Sequence, residues 1–278
     1  MKFDFLETAK EKIIIVAHRG VSGGNIPCNT LASYEIALKQ GADAIEIDVD
    51  MSADGKLYVF HPGMEYHHLY HADRIPKMTS EQISHLRFVN YDRVYTQFGL
   101  NTLDEVLETF KGRCYINVDK FWGHPEEIYA AIKRHDMVDQ IVVKSAPSEK
   151  IFSLLGDLAP ELAYIPVVNN KHPLHERLMN SGINYIGAEV VFAKDDAEVA
   201  SPEFIEQMHA DSKLVWVNSI IYNYRDQLSG THSDDTALTV SMDDGWGWLA
   251  RRGFDFIQTD WPGMLITYLK DNRLLYRK

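Results

Sequence analysis

The sequence predicts an α/β fold in which strands and helices alternate along one chain in the way a barrel requires. Three observations lead there. The run Lys12–Ala17 is short, apolar and β-branched, as a fully buried strand is. From Gly41 to Asp50, Ile45, Ile47 and Val49 alternate with Glu46, Asp48 and Asp50, which is a period-two strand. Between and beyond these runs, caps and glycine stops recur with strand-like apolar segments to the C-terminus.

Taken in order, the first strand ends abruptly at His18-Arg19-Gly20. Thr30 can cap a helix that runs through Lys39, with Gly41 as its stop. The period-two strand follows, then the turn Asp54-Gly55 and a short apolar strand Leu57–Phe60 ending at His61-Pro62-Gly63. Thr102-Leu103-Asp104-Glu105 is a capping box for a helix to about Phe110, stopped by Gly112. Tyr115–Val118 then reads as the third strand of the alternation and Gln140–Val143 as the fourth. Leu162–Val168, Tyr185–Val190, Leu214–Val217 and Phe256–Gln258 read as the fifth to eighth. No Gly/Ser-rich linker or short-period repeat divides the chain, so residues 1–278 read as one domain with an insertion at about 62–95.

The chemistry concentrates at strand ends. For His18 alone, a hydrogen-bonded structural histidine and an active-site rim residue are both open readings. The carboxylate face of the second strand is either solvated or turned into a site. In the latter case Glu46 and Asp48, roughly 7 Å apart along the strand, share a cation, and oxygen-only ligation favours Mg²⁺ or Ca²⁺ over zinc. A second strand ending in histidine, at His61, supplies a partner imidazole, and two imidazoles near one metal can divide general-base and general-acid work.

With these residues in view, the chain resembles the glycerophosphodiester phosphodiesterases. The matching segments are His18-Arg19-Gly20, Asn29-Thr30, Gly41-Ala42-Asp43 leading to Glu46-x-Asp48, Asp54-Gly55, His61, Asn117-Val118-Asp119-Lys120, Val215–Asn218 and Gly253–Pro262. The resemblance implies a TIM (β/α)8 barrel. It implies His18 and His61 as the acid/base pair, Glu46, Asp48 and Asp119 as ligands of one divalent cation, and Arg19 as a phosphate contact. It also implies a lid role for the insertion, which is crowded with histidine and tyrosine. The chain departs from the family pattern at Cys28, where glutamate is usual, and at Pro62, where aspartate is usual. Its Lys120 directly follows the last acidic ligand instead of lying two residues beyond. These departures bear on the substrate more than on the reaction.

Barrel enzymes gather catalytic groups at the carboxyl ends of their strands, and Lys144, Glu189, Trp216 and Asp260 fall there too. Lys144 is either a solvated loop lysine or a second phosphate or hydroxyl contact, and Lys120 or Lys144 can help Arg19 hold the phosphate. Glu189 is either paired with a barrel cation or an acceptor for a polyol. Trp216 reads as half core and half pocket wall. Trp246 and Trp248 read as packing residues at a helix start. The expected reaction is metal-dependent cleavage of a small-molecule phosphodiester to an alcohol and glycerol 3-phosphate, with water and a substrate hydroxyl both open as nucleophile. The alternatives are a sugar phosphodiester or lysophospholipid as substrate, and a catalytically silent binding protein.

Composition agrees. The chain has 278 residues, 45% of them hydrophobic, enough for one barrel. A net charge of −12 argues against nucleic-acid binding. Cys28 and Cys114 match no zinc or redox spacing and read as reduced thiols. The acidic N-terminus and the lack of a ~20-residue apolar run point away from a signal peptide and a membrane span, toward the cytoplasm. No feature sets an oligomeric state.

Overall fold

The strands are β1 (Ile14–Ala17), β2 (Ala44–Met51), β3 (Leu57–Val59), β4 (Tyr115–Asp119), β5 (Ile141–Ser145), β6 (Ala163–Asn169), β7 (Gly187–Val191), β8 (Leu214–Asn218) and β9 (Phe256–Thr259). The structure is a computed structural model that describes residues 3–277; the outermost residues of the expected 1–278 domain lie outside the described part. Eight of the strands are parallel and close on themselves, because β1 pairs with both β2 and β9. The result is a TIM barrel with helices around it. β3 stands outside the ring as an antiparallel partner of β2.

Strand periodicity sorts the side chains into two layers. Ile13, Ile15, Ala17, Ile45, Ile47 and Val49 face outward and pack with the helices. Ile14, Val16, Ala44, Tyr115, Val142, Trp216 and Phe256 face inward and fill the amino-terminal half of the barrel. The helix Phe5–Glu11 closes that end, with the Phe5 ring 4.2 Å from Tyr115. Toward the carboxyl ends the same inward positions turn polar: Glu46, Asp48, Asn117, Lys144, Glu189, Asn218 and Gln258 are all buried there. The barrel is thus an apolar plug beneath a charged bowl.

The capped helices form where the sequence places them. Thr30 and Thr102 each make a capping box, opening helices Leu31–Lys39 and Leu103–Phe110. Most strand limits shift from expectation by one or two residues, and two of the shifts have a clear consequence or cause. β4 extends one residue further, to Asp119, which carries that carboxylate onto the strand end. The sixth strand of the barrel starts at Gly187 instead of Tyr185; Tyr185 makes only a single bridge to Tyr164. A Cβ at Gly187 would lie 2.1 Å from the Leu214 carbonyl oxygen, so only glycine lets these backbones approach.

The segment after β3 folds as the short helices Glu65–His68 and Ser80–Ser84 with a 3₁₀ turn at Ile75–Lys77. It has a small apolar cluster of its own around Phe60, Leu69, Ile75 and Phe88. Cys28 and Cys114 are both free. No helix among the described residues is long and apolar enough to cross a membrane.

Candidate active site

Three elements build the anionic centre. Glu46 and Asp48 come from the inward face of β2, and Asp119 ends the neighbouring β4, in register with Asp48. One oxygen from each of the three carboxylates lies within 4.8 Å of the others. Asp48 is fully buried, and its Oδ1 has no hydrogen-bond partner among the described residues. Its Oδ2 accepts from Asn29 Nδ2 at 2.9 Å. A buried carboxylate oxygen left without a donor is costly unless a cation takes it. Three convergent oxygen donors fit a hard divalent ion such as Mg²⁺ or Ca²⁺. Asp50, the next residue on that face, sits one strand step outward and pairs with His124 at 3.8 Å, apart from the three.

Burial, reinforced by the Asp48 charge, pushes the Glu46 carboxyl up to about 7. Asp119 lies below the usual carboxylate range: burial acts to raise it, but the adjacent Lys120 ammonium outweighs that. Lys120 pairs with Asp119 and lies 3.6 Å from Asp48 Oδ1. Its left-handed backbone (φ 61°) turns the side chain back toward the carboxylates. Arg19 (φ 57°) reaches the same centre from β1: its backbone N–H donates to Glu46 Oε2 at 2.9 Å, and its Nε lies 3.0 Å from Asp48 Oδ2. Non-glycine residues at positive φ are uncommon, and Arg19, Asn29 and Lys120 all touch this centre. Gly20 completes the turn after Arg19 at φ 77°, where a Cβ would sit 2.5 Å from Ser33 Oγ.

The two histidines approach from different sides. His18 Nδ1 donates to Asp260 Oδ1 at 2.8 Å. Burial alone would lower the His18 imidazole, but the Asp260 hydrogen bond and the Glu46 charge hold it above its ordinary value. His61 is brought back alongside β2 by the β3 hairpin, where Phe60 N–H donates to the Asp48 carbonyl. Its Nε2 lies 3.9 Å from Asp48 Oδ1, and its Nδ1 is 3.0 Å from the Pro62 carbonyl oxygen. Burial lowers the His61 imidazole, and Asp48 only partly offsets this.

Both histidines, Arg19, Glu46, Asp119, Lys120, Lys144 and Glu189 line one open cleft of about 790 Å³ over the barrel mouth. Of the open readings for Lys144, the solvated one is not met: it lies on β5, buried, with Nζ 2.6 Å from Glu189 Oε2 and 4.0 Å above the Trp216 ring. Glu189 is therefore paired with a barrel cation, and its other oxygen accepts from Asn218 Nδ2 at 2.6 Å. Trp216 corrects the expected pocket wall. It is 1% exposed, stacked on Phe256 at 4.7 Å beneath Lys144, and is not among the residues that line the cleft. Trp246 is buried with its Nε1 on Asp234 Oδ1 at 2.7 Å, and Trp248 stacks on His232 at 3.7 Å.

Sequence reasoning did not assign roles to Asn29, Asn117, Asp234 or Asp260. Asn29 joins Asp48 to Tyr34, whose hydroxyl donates to Asn29 Oδ1 at 2.8 Å. Asn117 lies buried in the bowl, and neither of its side-chain polar atoms has a partner among the described residues. Asp234 accepts from Ser219, Trp246 and Thr259 side chains and from the Asp260 backbone N–H, so it fixes the turn that presents Asp260 to His18.

A model of the Glycerophosphoryl diester phosphodiesterase family matches residues 18–264. Among curated proteins, a glycerophosphodiester phosphodiesterase of Bacillus altitudinis is 32% identical over 212 residues, 72% of this chain and 83% of that protein. One from Bacillus subtilis is 26% identical over 225 residues, 74% of this chain and 75% of that protein. Among solved structures, a glycerophosphoryl diester phosphodiesterase from Parabacteroides distasonis superposes with a TM-score of 0.79 at 18% identity, covering 98% of this chain and 94% of that one. The last comparison speaks for the fold.

Proposed function

Because the chain belongs to the glycerophosphoryl diester phosphodiesterase family and is a phosphoric diester hydrolase, we propose that it cleaves glycerophosphodiesters to an alcohol and glycerol 3-phosphate, using one divalent cation and the pair His18 and His61. The observation that carries this reading is the convergence of two imidazoles and Arg19 on three buried or half-buried carboxylates in one cleft.

Glu46, Asp48 and Asp119 would hold the cation. When bound, Mg²⁺ or Ca²⁺ supplies Lewis-acid stabilisation of charge on the phosphoryl oxygens. The other work falls to the chain's own residues. Arg19, fixed by Asp48, offers a guanidinium to a phosphate oxygen, with Lys120 and Lys144 as further cations on the cleft wall. His61 donates its Nδ1 hydrogen to the Pro62 carbonyl, which leaves the Nε2 lone pair to take a proton from the nucleophile. His18, with Nδ1–H on Asp260, gives a proton from Nε2 to the departing alkoxide. Glu189, itself neutralised by Lys144, and Asn218 face the cleft where glycerol hydroxyls would bind. Trp216 acts on substrate only by holding Lys144. The segment of about 62–95 serves as a lid, and the two free cysteines support a cytoplasmic setting.

The test is product analysis on glycerophosphocholine, glycerophosphoethanolamine and a panel of sugar phosphodiesters, beside His18→Ala and His61→Ala. Release of glycerol 3-phosphate from the glycerol esters, with each variant reduced by ~10²–10⁴, supports the proposal. Turnover confined to sugar phosphodiesters would reassign the substrate.

A further inference from the structure

His18 and Arg19 stand between two cavities. One is the cleft over the barrel mouth. The other, of about 650 Å³, shares His18 and Arg19 but is lined by none of the three carboxylates and not by His61. Its walls come from the loop after β1, from Asp260 and Trp261 in the turn after β9, from Met264 in the helix Pro262–Asp271, and from Tyr91.

The two cavities differ in chemistry. The barrel mouth offers Lys144, Glu189, Asn218 and Gln258, groups that hydrogen-bond hydroxyls. The second offers two exposed aromatic faces, Trp261 (49%) and Tyr91 (84%), beside one carboxylate, while the cationic groups on its inner wall are already paired, His18 with Asp260 and Arg19 with Asp48. That carboxylate, Asp260, is half-exposed and spends Oδ1 on His18; no hydrogen bond among the described residues engages Oδ2. Aromatic faces next to an anionic oxygen attract an organic cation. They give a neutral polyol few directed hydrogen bonds.

A phosphodiester has two alcohol arms, and a phosphorus seated between the carboxylates and Arg19 sends them in different directions. We propose that the glycerol arm occupies the barrel mouth, that the leaving alcohol occupies the second cavity, and that Trp261, Tyr91 and Asp260 there select an alcohol bearing an ammonium group, of the choline or ethanolamine kind. This rests on the phosphodiesterase reading. It is also consistent with His18, which borders both cavities, as the group that protonates the leaving oxygen. The nucleophile's oxygen bonds to phosphorus as His61 Nε2 takes its proton; the P–O bond to the leaving alcohol breaks, its electron pair goes to the alcohol oxygen, and the His18 Nε2 proton joins that oxygen.

The experiment uses the full chain with Mg²⁺. Wild type and Trp261→Ala are compared by kcat/KM on glycerophosphocholine and on glycerophosphoglycerol. The proposal expects the choline-to-glycerol ratio to fall roughly tenfold in the variant, through KM, and Trp261→Phe to restore part of it. An unchanged ratio overturns it. In parallel, choline and its uncharged isostere 3,3-dimethylbutan-1-ol are titrated calorimetrically against wild type and Trp261→Ala. Binding of choline alone, weakened in Trp261→Ala, supports the subsite even if no diester is turned over, an outcome that would count against the hydrolase reading instead. Equal binding of both alcohols, or of neither, overturns the subsite.

Discussion

At the scale of the residue, the arrangement turns on who holds each imidazole. Asp260 accepts from His18 Nδ1 and, with the Glu46 charge, holds that imidazole above its ordinary value against the pull of burial. Asp260→Asn removes the stronger acceptor, so the His18 pKa falls. If His18 must be protonated, the basic limb of the kcat/KM profile then moves to lower pH, by about one unit, and activity drops ten- to a hundredfold, less than the ~10²–10⁴ of deleting an imidazole. A pH–rate series on the variant checks this; an unmoved basic limb would mean that His18 does not act as the acid. The placement of His18, Glu46, Asp48 and His61 at one end of the barrel was legible in the sequence because each ends, or alternates along, a recognisable strand. The contact of Asp260 with His18 was not. The two lie 242 positions apart in the chain, and no local pattern encodes a hydrogen bond closed only by the barrel.

At the scale of the element, the loop from Gly20 to Thr30 is tied to β2 through the side-chain amide of Asn29. Asn29 spans Asp48 and Tyr34 while its own backbone stands at φ 55°, and its backbone N–H donates to the Arg19 carbonyl oxygen. Asn29→Ala leaves Asp48 Oδ2 and the Tyr34 hydroxyl short of partners in a buried place. It should cost about 1–3 kcal/mol in urea unfolding and weaken Ca²⁺ or Mg²⁺ binding by roughly ten- to a hundredfold. Full stability together with unchanged metal affinity would show that Asn29 is a bystander. The helices flanked by Thr30 and Thr102 were readable from their caps, since a capping box is a local device. The true start of β7 was not, because it depends on Gly187 meeting the Leu214 carbonyl across the sheet. Trp216 was misjudged for a related reason. Alternation says that it points into the barrel, but not that Phe256 and Lys144 cover both of its faces.

At the scale of the whole molecule, an apolar plug sealed by Phe5 lets the opposite end of the barrel bury charge. Burial has a pH signature elsewhere too. His172, hydrogen-bonded to Tyr185 at 2.9 Å, is pushed down to about 4 by desolvation. Between its unfolded value near 6.5 and that folded value, the unfolded chain binds a proton that the native one refuses, so this contribution is lost as pH falls through the interval. His172→Asn should therefore cost less stability at pH 5 than at pH 7, as unfolding midpoints at the two pH values would show; a cost independent of pH would mean that the native ring accepts the proton. The barrel itself was legible from eight strand-like runs separated by helices. The two-cavity mouth was not, since its walls come from loops far apart in the chain.

The proposed function stands or falls on whether the three carboxylates hold a cation on which the histidine chemistry depends. The most direct measurement is ³¹P NMR of glycerophosphocholine hydrolysis by wild type and Glu46→Gln, with Mg²⁺, with Ca²⁺ and with chelator, beside calorimetric metal binding. The expected result is glycerol 3-phosphate formation with metal, none with chelator, and loss of both turnover and tight metal binding in Glu46→Gln. Turnover that persists in chelator, or a Glu46→Gln protein that binds metal and hydrolyses the diester as wild type does, would contradict it.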